Sequence, residues 1–301
     1  MSNKKVDIYN ELTTSGLIVK VGVFKYRICS PLPILGNSIS VLYADYELSE
    51  YNDCSGFVDF HVLVKGIGGC FSALSRKAQF FVDDQAPFNA LPKQHAPAII
   101  EWGMNWCISS QINSHLIVHA AVIEKNGKAA VLPAPPGSGK STLTASLIQE
   151  GWRLLSDELT IIRLDNYYVS PNPRPVSLKN ESIDVIKDKY PNVVFGPIST
   201  DTSKGNVCHI KPPKLSVINQ HIESPITWVI FPKYQYQSKT YLTEYNKAKA
   251  LMDIAENSFN YSRLGRQGFI ALRNVVDNAR CYQFQYSDLD EAIETFDSLG
   301  S

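Results

Sequence analysis

Two apolar runs with alternating polar positions lie on either side of Asn126-Gly127, near the middle of the chain. Asn-Gly between such runs is a strong signal for a two-residue turn that joins antiparallel strands, because both residues tolerate a positive φ. The pattern therefore predicts a β-hairpin in which Lys125 faces Lys128. The same register, continued along the strands, places His119 opposite Ala134.

Residues 1–112 alternate strand-like runs with turn clusters and end in a helical pattern. The strand-like runs are residues 17–26, 57–65 and 78–82. The helix begins near Pro97, a residue favoured in a first turn, and carries Ile99, Trp102 and Trp106 on one face. We predict a small N-terminal α+β domain over residues 1–112 and a second domain over residues 113–301.

The second half of the chain predicts another hairpin, several helices and one long polar segment. The hairpin strands are residues 159–164 and 167–170, helices cover 141–150, 244–257 and 264–278, a further helix begins near 180, and a strand covers 281–286. Ser287-Asp288-Leu289-Asp290 has the spacing of an N-terminal capping box, which predicts a last helix. Residues 192–213 are rich in Gly, Ser, Thr and Pro, so we predict a long loop able to act as a lid.

A glycine-rich motif, Ala134-Pro135-Pro136-Gly137-Ser138-Gly139-Lys140-Ser141-Thr142, follows the second strand of the central hairpin and precedes a helical run. This spacing is typical of a phosphate-binding loop, except that alanine stands in place of the usual first glycine. In such loops backbone N–H groups surround phosphate oxygens, the lysine neutralises the outer phosphates and the serine hydroxyl binds Mg²⁺. We therefore predict ATP and Mg²⁺ as cofactors, bound by Pro136, Gly137, Ser138, Gly139, Lys140, Ser141 and Thr142.

An acidic pair, Asp157-Glu158, follows the helix after this loop. One carboxylate could hold Mg²⁺ together with Ser141, and the other could accept the proton of a hydroxyl group; the sequence leaves open which does which. Both carboxylates reach one site only if the strand ends at this pair, because neighbours on a strand point to opposite faces. Lys140, Asp157, Glu158 and His119 are the predicted catalytic residues. His119 would bond a phosphate oxygen or the acceptor, with a packed core histidine as the alternative.

The order of His119, a phosphate loop and an acidic pair directly after the loop helix resembles the HPr kinase/phosphorylase family. Residues 115–165 carry this resemblance, and residues 172–180 and 201–205 resemble the subgroup called HPr-kinase-related kinase A. The family pattern has glycine and aspartate where this chain has Ala134 and Glu158, which leaves a reverse phosphorylase activity open. The resemblance implies an α/β fold: a P-loop kinase domain of the HPr kinase / PEP carboxykinase type, with a mixed central sheet and flanking helices, preceded by a smaller α+β domain.

Three cations are predicted to form a rim that binds phosphate or an acidic substrate. Arg174 and Lys179 bracket the start of the helix near residue 180, where a helix N-terminus favours anions rather than cations. They could therefore serve a ligand. Lys204 is the candidate from the long polar segment. A solvated loop is the alternative for all three.

Two classes of function remain open on this evidence. The first, which we favour, is an ATP-dependent kinase that transfers the γ-phosphoryl group to a hydroxyl acceptor, either a serine of a peptide or protein or a small molecule. The second is a nucleotide-binding ATPase switch without a phosphoacceptor other than water. His119 and the early acidic pair favour the kinase, and the chain lacks the Asn-Lys-x-Asp motif of guanine-selective switches.

The charge and composition of the chain restrict its partners. It has 29 basic and 29 acidic residues, so no net field favours nucleic acid or an anionic membrane. Residues 1–10 lack the apolar core of a secretory signal, and the longest apolar stretch, residues 96–108, is too short to cross a bilayer. The cysteines lack Cys-x-x-Cys spacing and are expected to be reduced thiols. We expect a cytoplasmic protein with no nucleic-acid or membrane partner, and a homo-oligomer is possible.

Overall fold

The computed structural model describes residues 6–68 and 76–300, which form a mixed α/β architecture. Two compact units are distinguished: the first contains Met1–Cys107, Ser177–Lys187 and Pro191–Lys211, and the second contains Ile108–Val176, Asp188–Tyr190 and Pro212–Ser301. Each unit is built from three segments, and segments of the two units follow one another in turn along the sequence. The single boundary between residues 112 and 113 stays a prediction.

The N-terminal part of the chain folds around one sheet. Its helices are α1 (Ile8–Thr13), α2 (Pro33–Leu42) and α3 (Ala96–Gln111), and its strands are β1 (Leu17–Val21), β2 (Phe24–Cys29), β3 (Leu48–Glu50), β4 (Phe60–Ile67), β5 (Lys77–Val82) and β6 (Leu91–Pro92). Over the described residues the strand order is β3-β1-β2-β4-β5-β6. The predicted single strand over 17–26 is wrong, because Gly22 has φ 58° and turns the chain between β1 and β2.

The remaining elements complete the chain. They are β7 (His115–Lys125), β8 (Lys128–Pro133), α4 (Lys140–Gln149), β9 (Arg153–Ser156), β10 (Leu159–Arg163), β11 (Val169–Ser170), β12 (Val176–Lys179), α5 (Glu181–Lys189), β13 (Ser199–Thr202), β14 (Gly205–Ile210), α6 (Lys214–Ile218), β15 (Ile226–Tyr234), β16 (Tyr241–Glu244), α7 (Lys247–Glu256), α8 (Tyr261–Leu264), α9 (Arg266–Asn278), β17 (Arg280–Tyr286) and α10 (Leu289–Gly300).

One mixed sheet organises the second unit. Within residues 108–300 its strand order is β11-β10-β7-β8-β15-β17-β16, and β9 also pairs with β7. The neighbours β8, β15 and β17 run parallel, whereas β7 is antiparallel to β8, β9 and β10. Parallel neighbours have their carboxyl ends at the same edge of a sheet. The segment that follows β8 therefore leaves the sheet at the edge where β15 and β17 also end.

The hairpin predicted at Asn126-Gly127 is confirmed. Asn126 has φ 54° and Gly127 has φ 76°, the left-handed values that this kind of two-residue turn requires. Lys125 pairs with Lys128, as the sequence pattern indicated. The hairpin consists of β7 and β8, which are neighbours in the interior of the sheet.

The register of this hairpin ends earlier than predicted. Its last pair is Ala120 with Pro133. Beyond that pair the edge of β7 is taken by residues 257–259, since Val118 forms a bridge with Ser258. The pairing of His119 with Ala134 that the extended register predicted is therefore wrong. The chain has to leave β8 at this point to form the loop before α4.

Side chains of β7 alternate between two faces of the sheet. Leu116, Val118, Ala120 and Val122 belong to a buried cluster that also contains residues of α7 and α9. His119 must then lie on the opposite face, because successive strand residues point to opposite sides. Helix α4 packs against β7, and its buried residues are not members of that cluster. We therefore place α4 on the face of β7 that carries His119.

The segment predicted as one long polar loop, residues 192–213, is irregular at its two ends but not along its whole length. It contains β13 and β14, an antiparallel hairpin that forms a sheet in the order β12-β14-β13. Thr202 pairs with Gly205, whose φ of 80° suits the tight turn, and residues 207–210 are buried. The composition of this segment indicated flexibility, but its apolar end packs into the first unit.

No helix within the described ranges is long and apolar enough to cross a membrane. The cysteines in those ranges are not joined by disulfide bonds, as the sequence predicted; they are Cys29, Cys54, Cys107, Cys208 and Cys281. Cys70 lies outside the described residues.

Candidate functional site

The loop between β8 and α4 turns at two glycines with left-handed backbone. Gly137 has φ 84° and Gly139 has φ 83°. Around Gly137 a Cβ would meet nothing within 4 Å, whereas at Gly139 it would lie 2.5 Å from Tyr286 Oη and 2.8 Å from Tyr234 Cβ. Gly139 is therefore required by conformation and by space, while Gly137 is required by conformation alone.

The start of α4 offers hydrogen-bond donors to the loop. The first N–H groups of an α-helix have no partner within the helix, and no side chain among the described residues caps α4. Ser138 is 9% exposed, and its hydroxyl is buried without a hydrogen-bond partner in the described part of the chain. Donors gathered at a helix N-terminus fit an anion such as phosphate.

Two strand ends hold the loop from the side opposite the acidic pair. The backbone N–H of Tyr234 donates to the carbonyl of Ser138 at 2.8 Å. The hydroxyl of Tyr286 donates to the carbonyl of Gly139 at 3.0 Å. Burial, with a further contribution from Tyr234, raises the pKa of Tyr286, so its hydroxyl stays protonated as a donor. With both carbonyls bonded on this side, the backbone of the loop is fixed before any ligand binds.

Lys140 is buried and reaches the acidic turn. The residue is 8% exposed, and its Nζ donates to the backbone carbonyl of Asp157 at 2.9 Å. The ion pairs found among the described residues do not include Lys140. A buried cation whose partner is a neutral carbonyl keeps its charge available for an anion.

The acidic pair lies where the strand is interrupted. Strand β9 ends at Ser156 and β10 begins at Leu159, so Asp157 and Glu158 occupy the bend between them. This confirms the strand end that the sequence analysis required. Asp157 is 4% exposed and Glu158 is half-buried. Asp157 Oδ2 lies 3.4 Å from the hydroxyl oxygen of Ser141.

These two oxygens fit a magnesium ion that also binds phosphates. No group of three or more His, Cys, Asp or Glu side chains that could hold a metal is found among the described residues. Mg²⁺ does not need such a group, since it binds through one or two carboxylates together with substrate phosphates and water. Neighbouring ligands in its octahedron, at about 2.0–2.1 Å from the ion, lie about 3 Å apart. The Ser141 and Asp157 oxygens are close to that separation.

His119 lies beside the acidic turn. On one edge of β7 it pairs with Leu159, the residue that follows Glu158. On the other edge its backbone N–H donates to the carbonyl of Asn257 at 2.7 Å, and its ring lies 5.9 Å from the ring of Phe259. The fold therefore brings His119 close to the acidic pair through β10, and not through the register with Ala134.

The other predicted site residues occupy varied positions. Pro136 is exposed at the tip of the loop, and Thr142 is half-buried in the first turn of α4. Arg174 belongs to the second unit and is 5% exposed. Its segment is attached to β9, because the N–H of Asn172 donates to the carbonyl of Leu155 at 2.7 Å and the N–H of Arg174 donates to the carbonyl of Asn172 at 2.8 Å.

Lys179 and Lys204 belong to the first unit. Lys179 is the last residue of β12 and is half-buried. Lys204 lies in the tight turn between β13 and β14, is exposed, and has its Nζ 5.2 Å from the centre of the Trp102 ring. The convergence of these two lysines and Arg174 on one ligand stays a prediction.

Comparisons with known proteins give one distant likeness. No family model matches the chain, and no curated protein matches it. A solved structure that it resembles is the Hpr(Ser) kinase/phosphatase from Coxiella burnetii, at 13% identity, with a TM-score of 0.27, covering 61% of this chain and 96% of that chain. A TM-score of this size leaves the family open, so the chemistry of the site has to be argued from the residues of this chain.

Proposed function

We propose that the protein is an ATP-dependent phosphotransferase that moves the γ-phosphoryl group of ATP to a hydroxyl acceptor on a peptide, a protein or a small molecule. The convergence of Lys140, Ser141 and Asp157 carries the proposal. A buried ammonium group and a buried carboxylate both lie at the start of α4, and the ammonium group bonds the backbone of Asp157. Phosphoryl transfer needs a cation at the outer phosphates and a metal ligand next to it.

The roles follow from the contacts of each residue. The N–H groups between Gly137 and Ser141 and the ammonium group of Lys140 would hold the phosphates. Ser141 and Asp157 would hold Mg²⁺, which when bound neutralises charge between the phosphates. We assign the metal to Asp157 because it is the carboxylate in contact with Ser141.

Glu158 is then the group that accepts the hydroxyl proton, since it is half-buried and lies next to Asp157 in the bend. A base must lie within hydrogen-bond reach of the proton that it removes. His119 supports a second substrate here, because it lies at the same turn and can bond the acceptor or a phosphate oxygen. Arg174, Lys179 and Lys204 are our candidates for acceptor binding. We further propose that the enzyme works in the cytoplasm.

The test measures ATP affinity and phosphoryl transfer in four variants. Lys140→Ala should weaken ATP binding about 10- to 100-fold, the effect of losing a hydrogen bond to a charged group. Asp157→Asn and Glu158→Gln should both lose transfer, and Glu158→Gln should keep ATP binding. Lys249→Ala is the control, since Lys249 is exposed on α7. Transfer is detected by mass spectrometry as a phosphate added to a component of an extract of the protein's own cells.

Two results would contradict the proposal. Unchanged ATP affinity in Lys140→Ala would show that the loop does not bind the phosphates. ATP hydrolysis at about 10 s⁻¹ without an acceptor, a typical enzymatic rate, would favour the ATPase switch instead.

A further inference from the structure

Tyr234 flanks the phosphate loop on the side away from the acidic pair. It is the last residue of β15, and β15 and β7 are the two neighbours of β8 in the sheet. The acidic pair lies between β9 and β10, which both pair with β7. Tyr234 is fixed to the loop by the bond from its N–H to the carbonyl of Ser138 and by the close approach of its Cβ to Gly139.

The ring of Tyr234 is oriented yet accessible. Tyr234 is 45% exposed, although its backbone N–H is bonded to the loop. The ring of Tyr286 packs against it at 70° with centroids 5.7 Å apart, so one edge of the Tyr234 ring is in contact with protein. An aromatic ring that is held in place and still open to solvent is a surface on which a planar ring can stack.

The direction of a bound nucleotide follows from the two flanks of the loop. Lys140 Nζ and Ser141 Oγ both contact Asp157, so under the proposed function the metal and the outer phosphates lie on the acidic flank. A nucleoside triphosphate carries its base at the end opposite to these phosphates. The base therefore extends toward the other flank, which is formed by the ends of β15 and β17.

We propose that Tyr234 binds the base of the nucleotide by stacking its exposed ring on the purine. This inference rests on the proposed function and adds a subsite for the part of the ligand that the phosphate loop does not recognise. The contact is apolar and has no fixed donor or acceptor, so it favours purines in general over a particular purine.

The experiment compares ATP with inorganic tripolyphosphate, both with Mg²⁺, by calorimetry on the full chain. Tyr234→Ala removes the ring and keeps the backbone N–H that bonds Ser138. It should weaken ATP binding about 5- to 100-fold, the usual effect of losing one base–aromatic stack, and leave tripolyphosphate binding within about 2-fold. Tyr234→Phe should bind both ligands normally. Tyr241→Ala is the matched control, because Tyr241 lies on β16 of the same sheet and is 46% exposed.

Three other results would overturn the inference. Equal losses for ATP and tripolyphosphate in Tyr234→Ala would show that Tyr234 only supports the loop. Unchanged ATP affinity in Tyr234→Ala would show that the base binds elsewhere. A wild-type chain that binds neither ligand would overturn the proposed function and this inference together, so the two failures are told apart by the tripolyphosphate measurement.

Discussion

Alanine substitutions at Gly137 and Gly139 should have very different costs, although the two residues have the same backbone conformation. Both have a φ near 83°, and a left-handed conformation costs an alanine about 1–2 kcal/mol in either place. Only at Gly139 would the new Cβ overlap other atoms, at 2.5 Å from Tyr286 Oη and 2.8 Å from Tyr234 Cβ. The comparison of the two variants therefore isolates the cost of the overlap.

The extra cost at Gly139 has two parts. Overpacking of a tight contact costs about 1–3 kcal/mol. Moving Tyr286 away also breaks its bond to the carbonyl of Gly139, which contributes about 0.5–1.5 kcal/mol. We expect Gly139→Ala to destabilise the start of α4 by about 1.5–4.5 kcal/mol more than Gly137→Ala does, the sum of these two parts.

Native-state hydrogen exchange of α4 measures this difference without a ligand. The chain contains two compact units, so a single unfolding midpoint would combine their transitions, whereas the exchange of α4 amides reports the local opening. Tyr286→Phe removes the nearest atom, and the next contacts of a Cβ at Gly139 would be Tyr234 Cβ at 2.8 Å and Tyr286 Cζ at 3.4 Å. Gly139→Ala should therefore cost less in a Tyr286→Phe background than in the wild type. Equal costs at the two glycines, or strict additivity with Tyr286→Phe, would refute the reasoning.

Two further predictions concern titrating groups away from the site. Burial pushes the pKa of Asp297 up, but hydrogen bonds from Lys125 at 2.6 Å and Trp152 at 2.9 Å bring it below the ordinary 3.8, so these contacts stabilise the fold above pH 3.8 and are lost as pH falls through the folded value. Native-state hydrogen exchange of the α10 amides should find Asp297→Asn less stable than the wild type at neutral pH, with a difference that narrows below pH 3.8; a constant difference would contradict this. Burial raises the pKa of Cys208 to about 11, so about one thousandth of it is thiolate at pH 8. Iodoacetamide should modify the half-buried Cys54 well before Cys208, as peptide mass spectrometry would show; equal rates would be the opposite result.

Local signals predicted the elements around the loop well, because each depends on a few neighbouring residues. The turn at Asn126-Gly127 is present as predicted, because asparagine and glycine both tolerate the positive φ values that it requires. The helix after the glycine-rich motif ends before Gly151, which has φ 90° and so cannot be replaced easily at a helix C-terminus. Asp157 and Glu158 lie at a strand break, as the argument about alternating faces required.

The sequence could not predict the features of the site that depend on strand order. The neighbours of the loop, Tyr234 and Tyr286, are separated from it by about a hundred residues or more, and only the order β8-β15-β17 brings them together. The same holds for Asn257, which takes the edge of β7 that the hairpin register assigned to Ala134. Sequence periodicity gives no information on which strand lies next to which.

The predicted cap of α10 is wrong, because Ser287 has a hydrogen-bond partner elsewhere in the chain. The capping box assigned the cap of α10 to Ser287, but Asp288 accepts the N–H groups of Asp290 and Glu291 at 2.8 Å and 3.0 Å. The hydroxyl of Ser287 instead donates to the carbonyl of Ser238 at 2.7 Å. A partner that is distant in sequence had replaced the local one, and the spacing alone could not show it.

Under the proposed function, the partner of Lys140 in the free protein affects how easily its ammonium group can bond a phosphate. A direct ion pair between the ammonium group and the carboxylate of Asp157 would neutralise both groups, and a ligand would first have to break a buried pair, at a cost of several kcal/mol. Here the ammonium group bonds the carbonyl of Asp157, and the carboxylate lies near the hydroxyl of Ser141. Asp157 thus orients the cation through its backbone carbonyl, and under the proposed function its carboxylate would also bind the metal. Because a phosphate oxygen accepts from an ammonium group more strongly than a neutral carbonyl does, the exchange of partners would be favourable if the loop binds ATP as proposed.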